Sequence, residues 1–513
     1  MRKKKLIGLL FCFSMTAITG MVLGQPSALN NSDEIYRPQI HFSPEAHWMN
    51  DPNGMVYNNG VYHLFFQYHP NSSVWGPMHW GHATSADMIH WKREAIAIFP
   101  DSLGTIFSGS AVVDKNNSSG FGKKGQAPLV AIFTQHNMQG EKSGRNDFQN
   151  QSLAYSLDNG KTWIKYSNNP VLKNPGITDF RDPKVMWYGN QKKWIMTLAT
   201  KDHITFYSSK DLKGWIKESE FGATVGAHGG VWECPDLFTL DDKGKKVWVL
   251  IVNLNPGGPN KGSATQYFLG DFDGNKFTPY TTDIKWIDYG PDEYAGITWS
   301  NTGDRKIFLG WMSNWMYANI IPTETWRNAM TIPRELKLRH AGKDLLIASE
   351  PVVELSKIQS KPIVVSNLKA ANSFDVAGKT GKIKFPCRIN LSMDEIKDFS
   401  LAISNEIGEE LSIGFDKRRN QYFIDRSKSG KTDFQTEFAI RHAAPRFTVN
   451  SKMNLSLLID ASSIELFADD GLTVMTEIFF PSKPYNQIYI QSADSAVIKK
   501  LEYMSLKSIW NRR

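Results

Sequence analysis

Up to about Leu338 the chain shows almost no helical periodicity. Short apolar or alternating runs recur instead, cut by Gly, Asn, Asp and Pro, which is the pattern of an all-β unit. The runs Val61 to Tyr68, Leu129 to Thr134, Trp194 to Ala199, Val247 to Asn253 and Lys306 to Trp311 are of this kind. An echo links them: Ser85-Ala86-Asp87 leads to Trp91, Ser156-Leu157-Asp158 to Trp163, and Ser209-Lys210-Asp211 to Trp215. Asp271-Phe272-Asp273-Gly274 leading to Phe277 is a fainter fourth. Each reads as a strand end, a polar turn and an aromatic that re-enters a strand. The closing aromatics stand 72, 52 and 62 residues apart, which suits a four-stranded unit repeated about every 60 residues. Roughly 310 residues would then make about five such blades of a β-propeller. From these residues alone, a pair of β-sandwiches remains open.

Tryptophan marks a boundary. Of 16 Trp, all but Trp510 lie at or before Trp326. The later part is β as well: Leu455 to Leu458, Ile464 to Phe467 and Val474 to Phe480 alternate or run apolar, with Asp469-Asp470-Gly471 as a hairpin turn. That is a sandwich pattern. The expected organisation is therefore a first unit over 35–345, a linker over 346–365 and a β-sandwich over 366–513. Residues 1–24 read as a secretory signal, with Arg2, Lys3, Lys4 and Lys5 before an apolar run from Leu6 to Ile18 and a small-residue end at Gly24. That run is interrupted and short for a membrane span, so no span is expected after cleavage. An exported chain, periplasmic or secreted from a bacterial envelope, is expected.

Removing residues 1–24 takes away four positive charges and no negative ones, lowering the net charge from +8 to +4. No arginine-rich run occurs, so nucleic acid is not implied as a partner. Cys234 and Cys387 are too few for a disulfide framework. Seven of the 12 His fall between His41 and His90. His79 and His82 would point to opposite faces of a strand, and neither a zinc-protease pattern nor a Cys partner accompanies them, so no metal is expected. No nucleophile elbow or phosphate loop is present, and no cofactor is expected.

Three carboxylates stand in rigid surroundings. Asp51 lies in Trp48-Met49-Asn50-Asp51-Pro52-Asn53-Gly54, Asp182 in Phe180-Arg181-Asp182-Pro183, and Glu233 in Trp232-Glu233-Cys234-Pro235. Asn53-Gly54 reads as a hairpin turn placing Asp51 at the start of a first hairpin. Glycoside hydrolysis needs two carboxyl groups in different environments, one protonated and one ionised. Glu233, flanked by Trp232 and Cys234, is the candidate for a raised pKa, and Asp182 beside Arg181 should stay ionised. Three acid-plus-proline motifs in three presumed blades converge only at a propeller axis. Trp75, Trp311 and Trp315 offer apolar platforms for a sugar, and Asn50, Gln67 and Ser108 offer hydroxyl partners.

The chain resembles glycoside hydrolase family 32, the invertases, inulinases and levanases, along nearly all of its length after residue 24. The motifs run in order: Trp48 to Gly54; Phe107-Ser108-Gly109-Ser110; Phe180 to Pro183; Trp232 to Pro235; Asp288-Tyr289-Gly290; and Trp311-Met312-Ser313-Asn314-Trp315. The resemblance implies a five-bladed β-propeller followed by a C-terminal β-sandwich, and retaining hydrolysis of terminal fructosyl units from fructans (levan or inulin) or sucrose. It implies Asp51 as nucleophile, Glu233 as acid/base and Asp182 as transition-state stabiliser. Trp48, Asn50, Gln67, Trp75, Phe107, Ser108, Arg181 and Trp315 would line the fructose pocket. The fructan polysaccharide or fructo-oligosaccharide is the implied partner. Ser313 departs from a position where Asn is frequent in related bacterial fructanases, which touches specificity at the pocket rim. Endo-acting levanase, fructosyltransferase and, from another class, a non-catalytic fructan-binding protein remain alternatives.

Overall fold

The computed structural model describes residues 34–510 except 124, 371–372 and 493–495; the expected signal at 1–24 lies outside the described residues. Five sheets, antiparallel but for one short pair, follow one another from His47 to Pro351, and two six-stranded sheets make up the remainder. The architecture is all-β and consistent with a propeller followed by a sandwich. The first strands of the five sheets are His47–Asn58, Thr105–Val113, Phe180–Tyr188, Val231–Asp242 and Tyr294–Thr298. Each packs beside the next, and the last packs beside the first.

The sequence echo has a structural meaning. Each copy is the turn between the third and fourth strands of its sheet: 85–91, 156–163, 209–215 and 271–277. In each of the first three the serine hydroxyl donates to the following aspartate, and that carboxylate takes backbone N–H groups of the turn. These side chains satisfy backbone donors that the ladder has lost. The aromatic then re-enters the sheet; Trp163 and Trp215 donate their indole N–H to the turn carbonyls of Gly160 and Leu212.

One local reading needs correcting. Asn53-Gly54 is no hairpin turn: the strand runs through it from His47 to Asn58, and the reversal falls at Asn59-Gly60, both with positive φ. At Gly54 the register against Val61–His69 shifts instead, making a bulge. A side chain there would sit 2.6 Å from Trp80 and 2.7 Å from Phe65, at φ +56°. Two large aromatics therefore occupy the place where a hairpin would have turned away.

The ring of sheets is closed by its own chain. Trp326–Arg327 pairs in parallel with His47 and Trp48, and the Trp299 indole N–H donates to His63 carbonyl oxygen. The strand Asp344–Pro351 still belongs to the fifth sheet and Ile363–Ala370 already pairs with Ala496–Ser505, so the connection is shorter than 346–365. The turn at Asp469-Asp470-Gly471 joins Ser463–Ala468 to Thr473–Ile478 as the sequence suggested. Cys234 and Cys387 are both buried free thiols.

Sandwich and ring share one interface, and it is polar at its centre. Arg334, fully buried, donates to Asp288 Oδ2 at 2.8 Å, to Thr476 Oγ1 at 2.6 Å and to Glu465. Asp288 in turn accepts the backbone N–H groups of Gly290 and Thr476. Asp288-Tyr289-Gly290 is thus a joint between the two units, not a ligand for substrate. His41 bridges Asp460 and Glu465 at 2.8 Å each; burial pulls its pKa down, but the two carboxylates prevail and raise it to about 9. Buried charges of this kind are tolerated because each is paired and hydrogen-bonded. Among the described residues no helix is long and apolar enough to cross a membrane.

Candidate active site

Every first strand carries a register shift near its N-terminal end. The shifts fall between Met49 and Pro52, Ile106 and Gly109, Arg181 and Lys184 (opposite Ala199 and Thr197), Glu233 and Asp236, and Tyr294 and Ile297. A bulge leaves one residue outside the ladder and re-aims its side chain. The five bulges meet at the middle of the ring, so Asp51, Phe107, Ser108, Asp182, Cys234 and Ala295 all stand there. Asp182 has φ 63°, Cys234 φ 41° and Ala295 φ 54°, conformations that L residues adopt only when the surroundings impose them.

Neighbouring strands satisfy the backbone groups that the bulges free. Thr134 Oγ1 accepts from Asp182 N–H at 3.0 Å and donates to Gln151 Oε1. Asp182 Oδ2 accepts from Cys234 N–H at 3.0 Å. Asn253 donates to the carbonyls of Cys234 and Gly296 and accepts Gly296 N–H. The central strands are therefore locked to one another by side chains as well as by packing.

A cavity of about 320 Å³ opens above these bulges. Its lining includes Asn50, Asp51, Gln67, Trp75, Phe107, Ser108, Arg181, Asp182, Glu233 and Trp315, so ten of the twelve candidate residues singled out in the sequence meet there. Trp48 and Trp311 are the exceptions. Trp48 is fully buried behind the wall, where its indole N–H donates to Asn50 Oδ1 at 2.7 Å and its ring stacks on Trp315 at 5.9 Å. Trp311, read as a sugar platform, is also completely buried, between Trp48 and Trp315. Ser313 is buried too and does not reach the rim. Both tryptophans act on the cavity by fixing Asn50 and Trp315.

Asp51 is held from three sides. Asn50 Nδ2 donates to Oδ1 at 2.9 Å, Ser108 Oγ to Oδ2 at 2.6 Å, and the Cys234 thiol to Oδ2 at 3.5 Å. Burial raises its pKa, Ser108 opposes the rise, and the charge of Glu233 adds to it. Cys234 stays a thiol because burial, and then the charges of Asp182 and Asp51, push its pKa well up.

One electrostatic expectation changes. Asp182 is raised to about 7: burial outweighs Arg181, and Glu233 and Asp51 add their repulsion. The guanidinium beside it in sequence directs its hydrogen bonds elsewhere, to Glu233 Oε1 at 3.1 Å from both Nε and Nη2, and to Asp179. Glu233 in turn is not wrapped in apolar groups. Trp232 turns into a core with its indole on Ala227, while Glu233 is 21% exposed to the cavity and accepts from Arg181 and the Tyr294 hydroxyl.

Sequence reasoning missed Tyr294, Asp179, His136, Glu141 and Gln149. Asp179 lies just before the strand Phe180–Tyr188 and pairs with Arg181 two residues on. Tyr294 carried no signal; it reaches Glu233 from another sheet. The mouth of the cavity is built by connections between second and third strands, which end on the same side as the bulges. They bring Trp75, the stretch 137–148 and Trp315. His79 packs edge-on against Phe99 and His82 is buried against Phe65 and His63; among the described residues no cluster of His, Cys, Asp and Glu could hold a metal.

Two carboxyl groups in one cavity are what glycoside hydrolysis requires, and Asp51, Asp182 and Glu233 line the same one. Residues 41–349 match the model of the glycosyl hydrolases family 32 N-terminal domain, and 353–505 that of the family 32 C-terminal domain. The chain belongs to glycosyl hydrolase family 32. It is 45% identical over 521 residues to a levanase of Bacillus subtilis, covering 99% of this chain and 76% of that one. It is 38% identical over 537 residues to an extracellular exo-inulinase of Aspergillus niger, covering 97% and 99%. The crystal structure of an exo-inulinase from Aspergillus awamori superposes with a TM-score of 0.84 at 36% identity, over 93% of this chain and 99% of that one.

Proposed function

We propose that this chain is an exported, retaining β-fructosidase that releases terminal fructose from levan or inulin, with Asp51 as nucleophile and Glu233 as acid/base. The observation that carries this reading is the convergence of Asp51, Asp182 and Glu233, from three different sheets, on one cavity with Tyr294 and Arg181 behind Glu233. In the first step an Asp51 oxygen bonds to the fructosyl C2 while the C2–O glycosidic bond breaks, and the Glu233 proton passes to the departing oxygen. In the second, Glu233 takes a proton from water, which attacks C2 and frees Asp51. Asp182 would hold fructose hydroxyls, and Gln67, whose buried Nε2 has no partner among the described residues, is a free donor for one of them. Five sheets in sequence, with first strands neighbouring in a closed ring, support reading residues 35–351 as a five-bladed propeller, with the sandwich from 363 onward. The extracellular exo-inulinase among the relatives and the charged, apolar start of the chain support export after cleavage near Gly24.

A floor closed by five packed strands admits one chain end more readily than the middle of a polymer, which favours exo action. The test is the time course of products from levan, inulin and sucrose, run beside Asp51→Asn. Fructose as the sole early product, with turnover lowered by several orders of magnitude in the variant, is expected. Oligosaccharides appearing first would mean internal cleavage, and binding without release would mean a non-catalytic fructan-binding protein.

A further inference from the structure

One wall of the cavity is not used by the reaction as written. Strands Leu129–His136 and Gln149–Ser156 pair as far as His136 opposite Gln149, and the chain between them leaves the sheet at the cavity mouth. Within it Met138–Lys142 forms a single helical turn, capped by Asn137 Oδ1 accepting Gly140 N–H at 2.8 Å. That turn carries Glu141 to the rim. Asp182 is 4% exposed at the floor, whereas the Glu141 side chain is 53% exposed and still lines the same cavity.

Glu141 is aimed by a one-way relay of hydrogen bonds. Phe180 N–H donates to Gln149 Oε1 at 2.8 Å, and a backbone N–H can only donate, so the amide of Gln149 is fixed with its Nε2 toward His136. Gln149 Nε2 then donates to His136 Nδ1 at 3.2 Å, which leaves the ring hydrogen on Nε2. His136 Nε2–H donates to Glu141 Oε2 at 3.0 Å. The imidazole is flat against Phe107, centroids 4.2 Å apart and planes 7° apart, and Phe107 is itself a cavity residue. Four buried or half-buried groups thus hold a rim carboxylate whose second oxygen, Oε1, is left over. The relay begins at Phe180, the residue before Arg181, so floor and rim are set by the same strand.

Resting on the fructosidase reading above, we infer that Glu141 recognises the leaving group: its free oxygen accepts a hydroxyl of the sugar unit next to the scissile bond. A fructosyl unit at the floor puts the rest of the substrate through the mouth, and there Glu141, together with Asp179 held by Arg181, presents acceptors to a hydroxyl-rich unit. His136 and Gln149 are positioning residues. Glu141 makes no contact with the floor carboxylates in this account and takes no part in proton transfer.

The experiment uses the full chain and two substrates with the same fructosyl group: the trisaccharide 1-kestose, whose leaving group is a sugar, and an aryl β-fructofuranoside, whose leaving group has no hydroxyl to offer. In Glu141→Gln the ratio of kcat/KM for kestose to that for the aryl fructoside falls about tenfold, as expected for a hydrogen bond to a charged group, chiefly through KM. Inhibition by free fructose, which reports the floor alone, keeps its constant within twofold. His136→Phe keeps the stacking on Phe107 and lowers the ratio similarly, and the double variant loses no more than either single one. Equal losses on both substrates, or none on either, would overturn the inference while leaving the fructosidase reading intact. If the unaltered protein cleaves neither substrate, the fructosidase reading falls and the role of Glu141 falls with it.

Discussion

Ser108 shows how much of the chemistry depends on single hydrogen bonds. Its hydroxyl lies 2.6 Å from Asp51 Oδ2 and favours the ionised carboxylate against the pull of burial. Ser108→Ala therefore raises the pKa of Asp51 further. The nucleophile is active as the carboxylate, so the acid limb of the kcat/KM profile moves to higher pH, and the optimum rate falls by roughly 10- to 100-fold. A pH profile with an unmoved acid limb would show that Ser108 does not tune Asp51. At this scale the sequence was informative because three acid-plus-proline motifs recur in separate β segments, and ten of the residues it singled out line one cavity. It misled where a neighbour in sequence was taken for a neighbour in space. Arg181 pairs with Asp179 and Glu233 rather than Asp182, and Trp48 and Trp311 lie behind the wall.

At the scale of elements, the bulge is the unit that matters. Alternation along a strand predicts which face a side chain takes, but a bulge breaks that alternation, and nothing in a short apolar run announces where it will fall. Asn53-Gly54 illustrates the ambiguity. The same dipeptide that makes a tight hairpin also supplies the positive φ that a bulge requires, and only Phe65 and Trp80, both distant or on later strands, decide between the two. Gly54→Ala places a methyl group 2.6 Å from Trp80 at an unfavourable φ. A loss of about 1–3 kcal/mol in unfolding free energy is expected, read as a lower urea midpoint at unchanged slope. A variant as stable as the parent would mean that the aromatics yield and the bulge is loosely set. The turns between third and fourth strands were easier to read, because Ser and Asp cap them locally.

For the whole molecule, the two units are joined by charges that neither could bury alone. Arg334 comes from the fifth sheet, Asp288 from the stretch before it, and Glu465 and Thr476 from the sandwich, all fully or nearly fully buried. Arg334→Ala leaves Asp288 without a cation and Glu465 with His41 alone, and is expected to destabilise by about 3–5 kcal/mol, measured by chemical denaturation. A change under about 1 kcal/mol would mean that water or rearranged side chains replace the guanidinium. The composition shift in Trp revealed that there were two units, but the joint itself was invisible. The pairs that cross it are more than a hundred residues apart in sequence, and each charge on its own reads as an ordinary surface charge.

The first and last described residues also meet beside that joint. Gln39 N–H donates to Asp460, Ser462 Oγ to Tyr36 carbonyl oxygen, and the Trp510 indole to Pro38 carbonyl oxygen. The first described residues thus gain part of their partners only when nearly the last described residues are in place. Contacts that span the whole length close slowly, and a chain delivered from its beginning must wait for its end. This late seal works as a timer, delaying completion of the native state until nearly the last described residues are in place.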